Sequence, residues 1–218
     1  MTGRHQLVWL TAQGWDDCAH NCANDADRAA IAQWRAMDWP AVVRRREPGA
    51  AADRLGLGIP LPPDADGVKR RCAIAAPLDA IQRRQPPLAL ADVAVHAPAH
   101  WRAPLAALLA DAERHGCVLS VFGSAAMQAL TGLPYLTPRS DLDLLLHPRG
   151  VAALHAGLAL LLRHAGALPL DGEIVFPGGA AVSWKEWTGS GEQRVLVKHI
   201  DGVRLAPRAE LLLTLALP

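Results

Sequence analysis

Apolar and polar positions are arranged differently in the two halves of the chain. Up to about residue 90 the apolar stretches are short and are interrupted at Pro48-Gly49, between Gly56 and Pro63, and at Pro86-Pro87. That half predicts one short helix over 28–37 and short strands at 42–43 and 73–76, beside charge runs. From Ala97 the pattern lengthens. Trp101, Leu105, Leu108, Leu109 and Ala112 recur at helical spacing, and His115-Gly116 closes that helix. Residues 117–122 (CVLSVF) predict a buried strand that runs into Gly123-Ser124 and a helix to about Leu130. Gly132, Pro134 and Pro138 mark a loop. Next come a strand over 141–146 (DLDLLL), a helix over 151–164 ended by Gly166, and strands over 173–176, 181–187 and 194–200. Pro207 suits the first turn of a last helix, 207–215. The change of texture divides the chain into a small N-terminal α/β domain, 1–95, and a larger domain, 96–218.

Composition narrows the class. At 218 residues, with 51% hydrophobic and 20% charged, the chain has the make-up of a globular protein with a real core, not of a disordered one. A net charge of +1 sets up no global field, so neither nucleic acid nor a membrane surface is expected as a partner. Nineteen of the 22 basic residues are arginine, leaving only Lys69, Lys185 and Lys198 as lysines. With abundant alanine this reads as a GC-rich genome, although arginine also suits bidentate phosphate binding. No apolar run reaches the ~18 residues of a membrane span, and the polar start predicts no secretory signal. Four cysteines are too few for a disulfide scaffold. The expectation is a cytoplasmic protein of enzyme size with reduced thiols. Cys18, His20 and Cys22 lack a fourth ligand at usable spacing, which argues against zinc. The absence of a phosphate-loop Gly-Lys-Ser/Thr and of Gly-x-Gly-x-x-Gly argues against a Walker ATPase or a dinucleotide dehydrogenase.

The chemistry is concentrated in Val121-Phe122-Gly123-Ser124 and Arg139-Ser140-Asp141-Leu142-Asp143-Leu144. A strand that enters Gly-Ser at a helix start offers free backbone N–H groups and the positive end of the helix dipole. Gly123 lets a phosphate approach the backbone, and Ser124 can cap the helix or bond a phosphate oxygen. Strand alternation sends Asp141 and Asp143 to one face and Leu142 to the core. Two carboxylates so placed repel each other unless a divalent cation lies between them, and hard oxygen ligands favour Mg²⁺. Arg139 either holds a phosphate or pairs with Asp141. Lys198 either points to the same site or snorkels from its strand. Arg44-Arg45-Arg46 and Lys69-Arg70-Arg71 are a solvated face, a diphosphate cradle or a dock for an acidic protein.

On Gly123-Ser124 before a helix and Asp141-x-Asp143 on the next strand, the chain resembles the nucleotidyltransferase superfamily, with a longer gap that adds an excursion over 131–138. The run VFGSAAMQALTGLPYLTPRSDLDLLL (121–146) is joined by RHQLVWL (4–10), VVRRR (42–46), DGEIVFPGGAAVSWKEW (171–187) and VLVKHIDGVRLAPRAELL (195–212). Together they resemble the malonate decarboxylase holo-acyl-carrier-protein synthases, also called phosphoribosyl-dephospho-CoA transferases.

The resemblance implies an α+β, nucleotidyltransferase-like mixed sheet with flanking helices, beside the smaller N-terminal domain. It implies that a serine of the malonate decarboxylase acyl carrier protein attacks the α-phosphorus of 2'-(5''-triphosphoribosyl)-3'-dephospho-CoA and releases pyrophosphate. Asp141 and Asp143 would be catalytic and would ligate Mg²⁺, while Gly123, Ser124, Arg139 and Lys198 would contact the donor. A third carboxylate normally completes such sites: Glu173 is the first choice, Glu186 and Asp201 the rivals, although Asp201-Gly202 is also a hairpin pair. Two other readings stay open at this point. One is transfer of AMP or another nucleotide to a small molecule or protein, and the other is a binding module without chemistry.

Overall fold

Leu7-Val8-Trp9-Leu10, four consecutive buried residues, form the strand β1 (Leu7–Leu10). Thr11 then caps α1 (Ala12–His20), its Oγ1 accepting the Gly14 N–H at 3.1 Å. Asn24 caps α2 (Asp25–Ala36) reciprocally: its Oδ1 accepts the Asp27 N–H, and its Nδ2 donates to the Asp27 carboxylate. Asp25 and Asp27 also meet the positive end of that helix, so it begins three residues before the expected start at 28. Four more strands follow: β2 (Ala41–Val43), β3 (Arg54–Pro60), β4 (Arg71–Pro77) and β5 (Ile81–Gln85). They form an antiparallel sheet in the order β4-β3-β2-β1-β5. Its inner face buries Val8, Val43, Leu57, Ile59 and Ile74, with Trp15, Ile31 and Trp34 from the helices. Burial pushes the Cys18 thiol up to about 11 and the Cys72 thiol up to about 12, so both stay protonated.

A second sheet begins at β6 (Leu88–Ala89), followed by α3 (Leu90–Ala94) and α4 (Ala99–Arg114). Next come β7 (Leu119–Val121), α5 (Gly123–Thr131), β8 (Leu142–Leu146), α6 (Val151–His164) and β9 (Leu170–Val175). The chain continues through β10 (Ala181–Ser183), α7 (Trp184–Thr188), β11 (Arg194–His199), β12 (Gly202–Pro207) and α8 (Arg208–Thr214). The strand order is β12-β11-β10-β9-β8-β7-β6. Only a crossover can join parallel neighbours, and α6 makes it between β8 and β9. Leu142, Leu144 and Leu146 point from β8 into a core shared with Leu105, Leu108, Leu154 and Leu161 of the helices.

The structure is a computed structural model that describes residues 3–189 and 193–216. Among the described residues it is α+β, with two sheets and eight α-helices. It divides into one unit of Met1–Pro87 with Leu130–Tyr135 and Ile200–Gly202, and a second of Leu88–Ala129, Leu136–His199 and Val203–Pro218. The division falls between Pro87 and Leu88, whereas the sequence pattern placed it at 95/96. Leu88 and Ala89 pair with Val121 and Ser120 and so belong to the second sheet.

Several expected elements are corrected. The Gly56 to Pro63 stretch, read as a break, contains most of β3, and β1, α1, β5, β6, α3 and β12 were not foreseen. The expected strand over 181–187 ends at Ser183. Trp184 and Trp187 are both buried, and a helical turn brings side chains three apart onto one face, where the Trp187 ring packs tilted against Phe176 with centroids 5.2 Å apart. Asp141 lies just ahead of β8 instead of opening it. Among the described residues, no helix is long and apolar enough to cross a membrane.

Candidate active site

β7 and α5 meet at Phe122-Gly123. The Phe122 N–H donates to the Asp143 carbonyl at 3.1 Å, carrying the β7–β8 ladder one step further. Gly123 then turns the chain with φ +69°, a conformation glycine adopts without penalty. The space beside it is filled. A Cβ at Gly123 would overlap Asp143 Oδ2 and stand 3.0 Å from Asp143 Cγ. Gly123 and Asp143, 20 positions apart in the chain, are therefore in direct contact. Ser124 is half-buried in the first turn of α5, whose nine residues put a partial positive charge at that end.

The parallel register fixes what surrounds Asp143. Asp143 is opposite Asp171, and Leu145 is opposite Glu173, which is in turn opposite Ser183 of β10. Alternation then puts Asp143, Asp171 and Glu173 on the sheet face away from Leu142, Leu144 and Ile174. Gly172, at φ +134°, is what permits this packing: a Cβ there would run into the Leu144 backbone. Asp171 was not singled out from sequence. Its only signal was a second acid two residues from Glu173, and nothing local says which of the two neighbours Asp143.

Asp141 is exposed and Asp143 half-buried, while Leu142 between them is buried, as the alternation required. Arg139 is exposed, and its guanidinium makes no ion pair with Asp141 among the described residues. Both are presented by a turn in which the Ser140 N–H donates to the Thr137 carbonyl at 3.0 Å and the Thr137 N–H donates to Ser140 Oγ at 2.9 Å. Ser140 is buried and was also missed, since a lone serine in a loop carries no sequence signal.

The three candidate third carboxylates part company here. Glu173 is 5% exposed and accepts from Lys198 Nζ at 2.9 Å, so these two predicted site residues meet each other. Glu186 accepts the Leu196 N–H at 2.7 Å, a bond from β11 to α7. Asp201 sits in the β11–β12 turn, 3.9 Å from Arg46 and within the first unit. Asp171 pairs with Lys185 at 3.5 Å. Ser120 and His147 satisfy each other at 2.9 Å, and burial lowers the His147 pKa. Among the described residues, no three His, Cys, Asp or Glu side chains gather as a group that could hold a metal ion.

Two family models together span nearly the whole chain. The phosphoribosyl-dephospho-CoA transferase MdcG N-terminal domain matches residues 3–87, and the corresponding C-terminal domain matches residues 89–209. A phosphoribosyl-dephospho-CoA transferase of Xanthomonas campestris pv. campestris (strain 8004) is 44% identical over 213 residues, 97% of each chain. One from Bradyrhizobium diazoefficiens is 36% identical, covering 94% of this chain and 90% of its own. One from Pseudomonas putida is 33% identical, covering 92% and 91%. No solved structure matches the chain.

Proposed function

The chain belongs to the phosphoribosyl-dephospho-CoA transferase family, and from that membership we propose that it loads the prosthetic group onto the malonate decarboxylase acyl carrier protein. The donor is 2'-(5''-triphosphoribosyl)-3'-dephospho-CoA. A carrier serine oxygen attacks its α-phosphorus, a phosphodiester forms, and pyrophosphate leaves. The observation that carries the reading is the contact of Gly123 with the Asp143 carboxylate. It joins a helix N-terminus suited to phosphate and an acidic strand in one nucleotidyltransferase-like site.

In this reading the N–H groups at the start of α5 and the Ser124 hydroxyl bind donor phosphate oxygens. Arg139, exposed beside Asp141, adds a charged fork for the same group. Lys198 acts through its ion pair with Glu173, placing a positive charge beside that buried carboxylate of the second sheet. Asp141 and Asp143 are the catalytic carboxylates, aligning the incoming hydroxyl. Mg²⁺ fits this donor set in kind, because it is commonly held by one or two carboxylates with substrate phosphates completing the shell. Asp141 and Asp143 would hold it, with Glu173 behind them and Asp171 alongside. Bound there, the ion would neutralise charge on the leaving pyrophosphate.

The test is purified protein with the donor, apo-carrier and Mg²⁺, followed by intact mass. Gain of the whole prosthetic group on the carrier, with pyrophosphate released, is the expected result. A carrier or small acceptor that gains a nucleotide from ATP instead would replace this reading with the nucleotide-transfer one.

A further inference from the structure

Two arginines of the first unit lie flat across a strand. On β3 and β4, Gly56 is opposite Ala75 and Gly58 opposite Ala73, on the face away from Leu57, Ile59, Cys72 and Ile74. A Cβ at Gly58 would meet Arg71 Cδ at 3.0 Å and Arg44 Cδ at 4.0 Å, and one at Gly56 would meet Arg44 Cγ at 3.6 Å and Nε at 3.8 Å. The two stems thus occupy the volume that two missing side chains leave, and both reach the same point above Gly58.

Their charges are incompletely answered. The outer end of Arg44 reaches Glu47, 2.6 Å away and mostly exposed, while Arg44 Nε is buried with no hydrogen-bond partner among the described residues. Arg71 is exposed and makes no ion pair among them. Arg45 and Arg70 adjoin the pair in the chain. Two like charges held side by side, with one exposed carboxylate on Arg44 alone, repel, and a multivalent anion relieves that repulsion. Stems already ordered by packing lose little further entropy on binding, and the guanidinium fork matches phosphate oxygens bidentately.

We propose that Arg44 and Arg71, seated on Gly56 and Gly58, form a phosphate-binding site on the first unit that takes a phosphate or diphosphate group. The site goes beyond the transfer reading, because it uses none of the acid-strand residues and needs no metal. An acidic protein surface engages mobile, solvated cations and requires no glycines cut out beneath them.

The experiment is calorimetric titration of the full chain in EDTA with inorganic pyrophosphate, inorganic phosphate and dephospho-CoA. The proteins are wild type, Arg44→Gln, Arg71→Gln and Gly58→Ala. Pyrophosphate should bind wild type, and its loss on substituting Arg44 or Arg71, neither of which belongs to the transfer site, separates this site from that one. Either arginine substitution should weaken it at least tenfold. Gly58→Ala, which displaces the Arg71 stem without changing charge, should weaken it severalfold. The same pattern with dephospho-CoA identifies a nucleotide donor as the source, and the pattern with inorganic ions alone identifies free phosphate. Equal pyrophosphate binding by wild type and Arg71→Gln, or no binding by wild type, overturns the proposal.

Discussion

Gly123→Ala isolates the contact on which the site rests. The substitution adds one methyl group in a left-handed backbone position, φ +69°, which costs a non-glycine residue about 1–2 kcal/mol. The methyl carbon also stands 3.0 Å from Asp143 Cγ and on top of its Oδ2. Recovering an ordinary carbon separation of about 3.5–4.0 Å requires the carboxyl group to withdraw by up to about 1 Å. A displacement of that size at a catalytic group costs about a hundredfold in rate. Gly116→Ala supplies the control, since Gly116 has φ +60° with nothing within 4 Å of its Cβ position. Urea unfolding should show similar destabilisation of both variants, with the larger loss in Gly123→Ala. Intact-mass conversion of apo-carrier to holo-carrier should fall about a hundredfold in Gly123→Ala only. Transfer by Gly123→Ala within threefold of Gly116→Ala would refute the reasoning, because Asp143 would then tolerate displacement.

Asp141→Asn and Asp143→Asn should each lower transfer by at least about a hundredfold, the scale of several kcal/mol of lost transition-state stabilisation, with circular dichroism unchanged; near wild-type rates in either folded variant count against the acidic pair. Lys198→Met leaves Glu173, 5% exposed, without its cation and should cost about 3 kcal/mol in urea unfolding. Lys198→Met/Glu173→Gln should recover most of that loss, and a double variant as unstable as the single one rules the ion pair out as the cause. Asp111 of α4 is bonded by His164 and Arg163 of α6, which hold its carboxyl down at about 2 from an ordinary 3.8. A lowered folded-state pKa means that this contribution is complete above the unfolded value and is lost as pH falls from about 4 towards 2. Asp111→Asn should therefore be less stable than wild type at pH 7 and converge with it near pH 2, and a stability gap that stays constant across that range contradicts the linkage.

What could be read from the chain alone was whatever repeats over a few residues. The core-facing stripe Trp101, Leu105, Leu108 and Ala112 marked α4, the Leu-rich run marked α6, and Gly123-Ser124 with Asp141-x-Asp143 marked the site. Helical spacing and strand alternation are local, so each needs no knowledge of a partner. The family could also be read, because several such segments occur together in order. The roles of the acids could not. Glu173, Glu186 and Asp201 are alike in sequence, and their fates differ because one meets Lys198, one caps Leu196 and one turns a hairpin near Arg46. Asp171 reached Asp143 only through the parallel register made possible by the α6 crossover. β3 stayed hidden for the same kind of reason: Gly56 and Gly58 read as breaks until Arg44, just past β2, and Arg71 of β4 are seen to fill their space. Register and partner choice join residues far apart in the chain, and only the folded packing brings them within reach of one another.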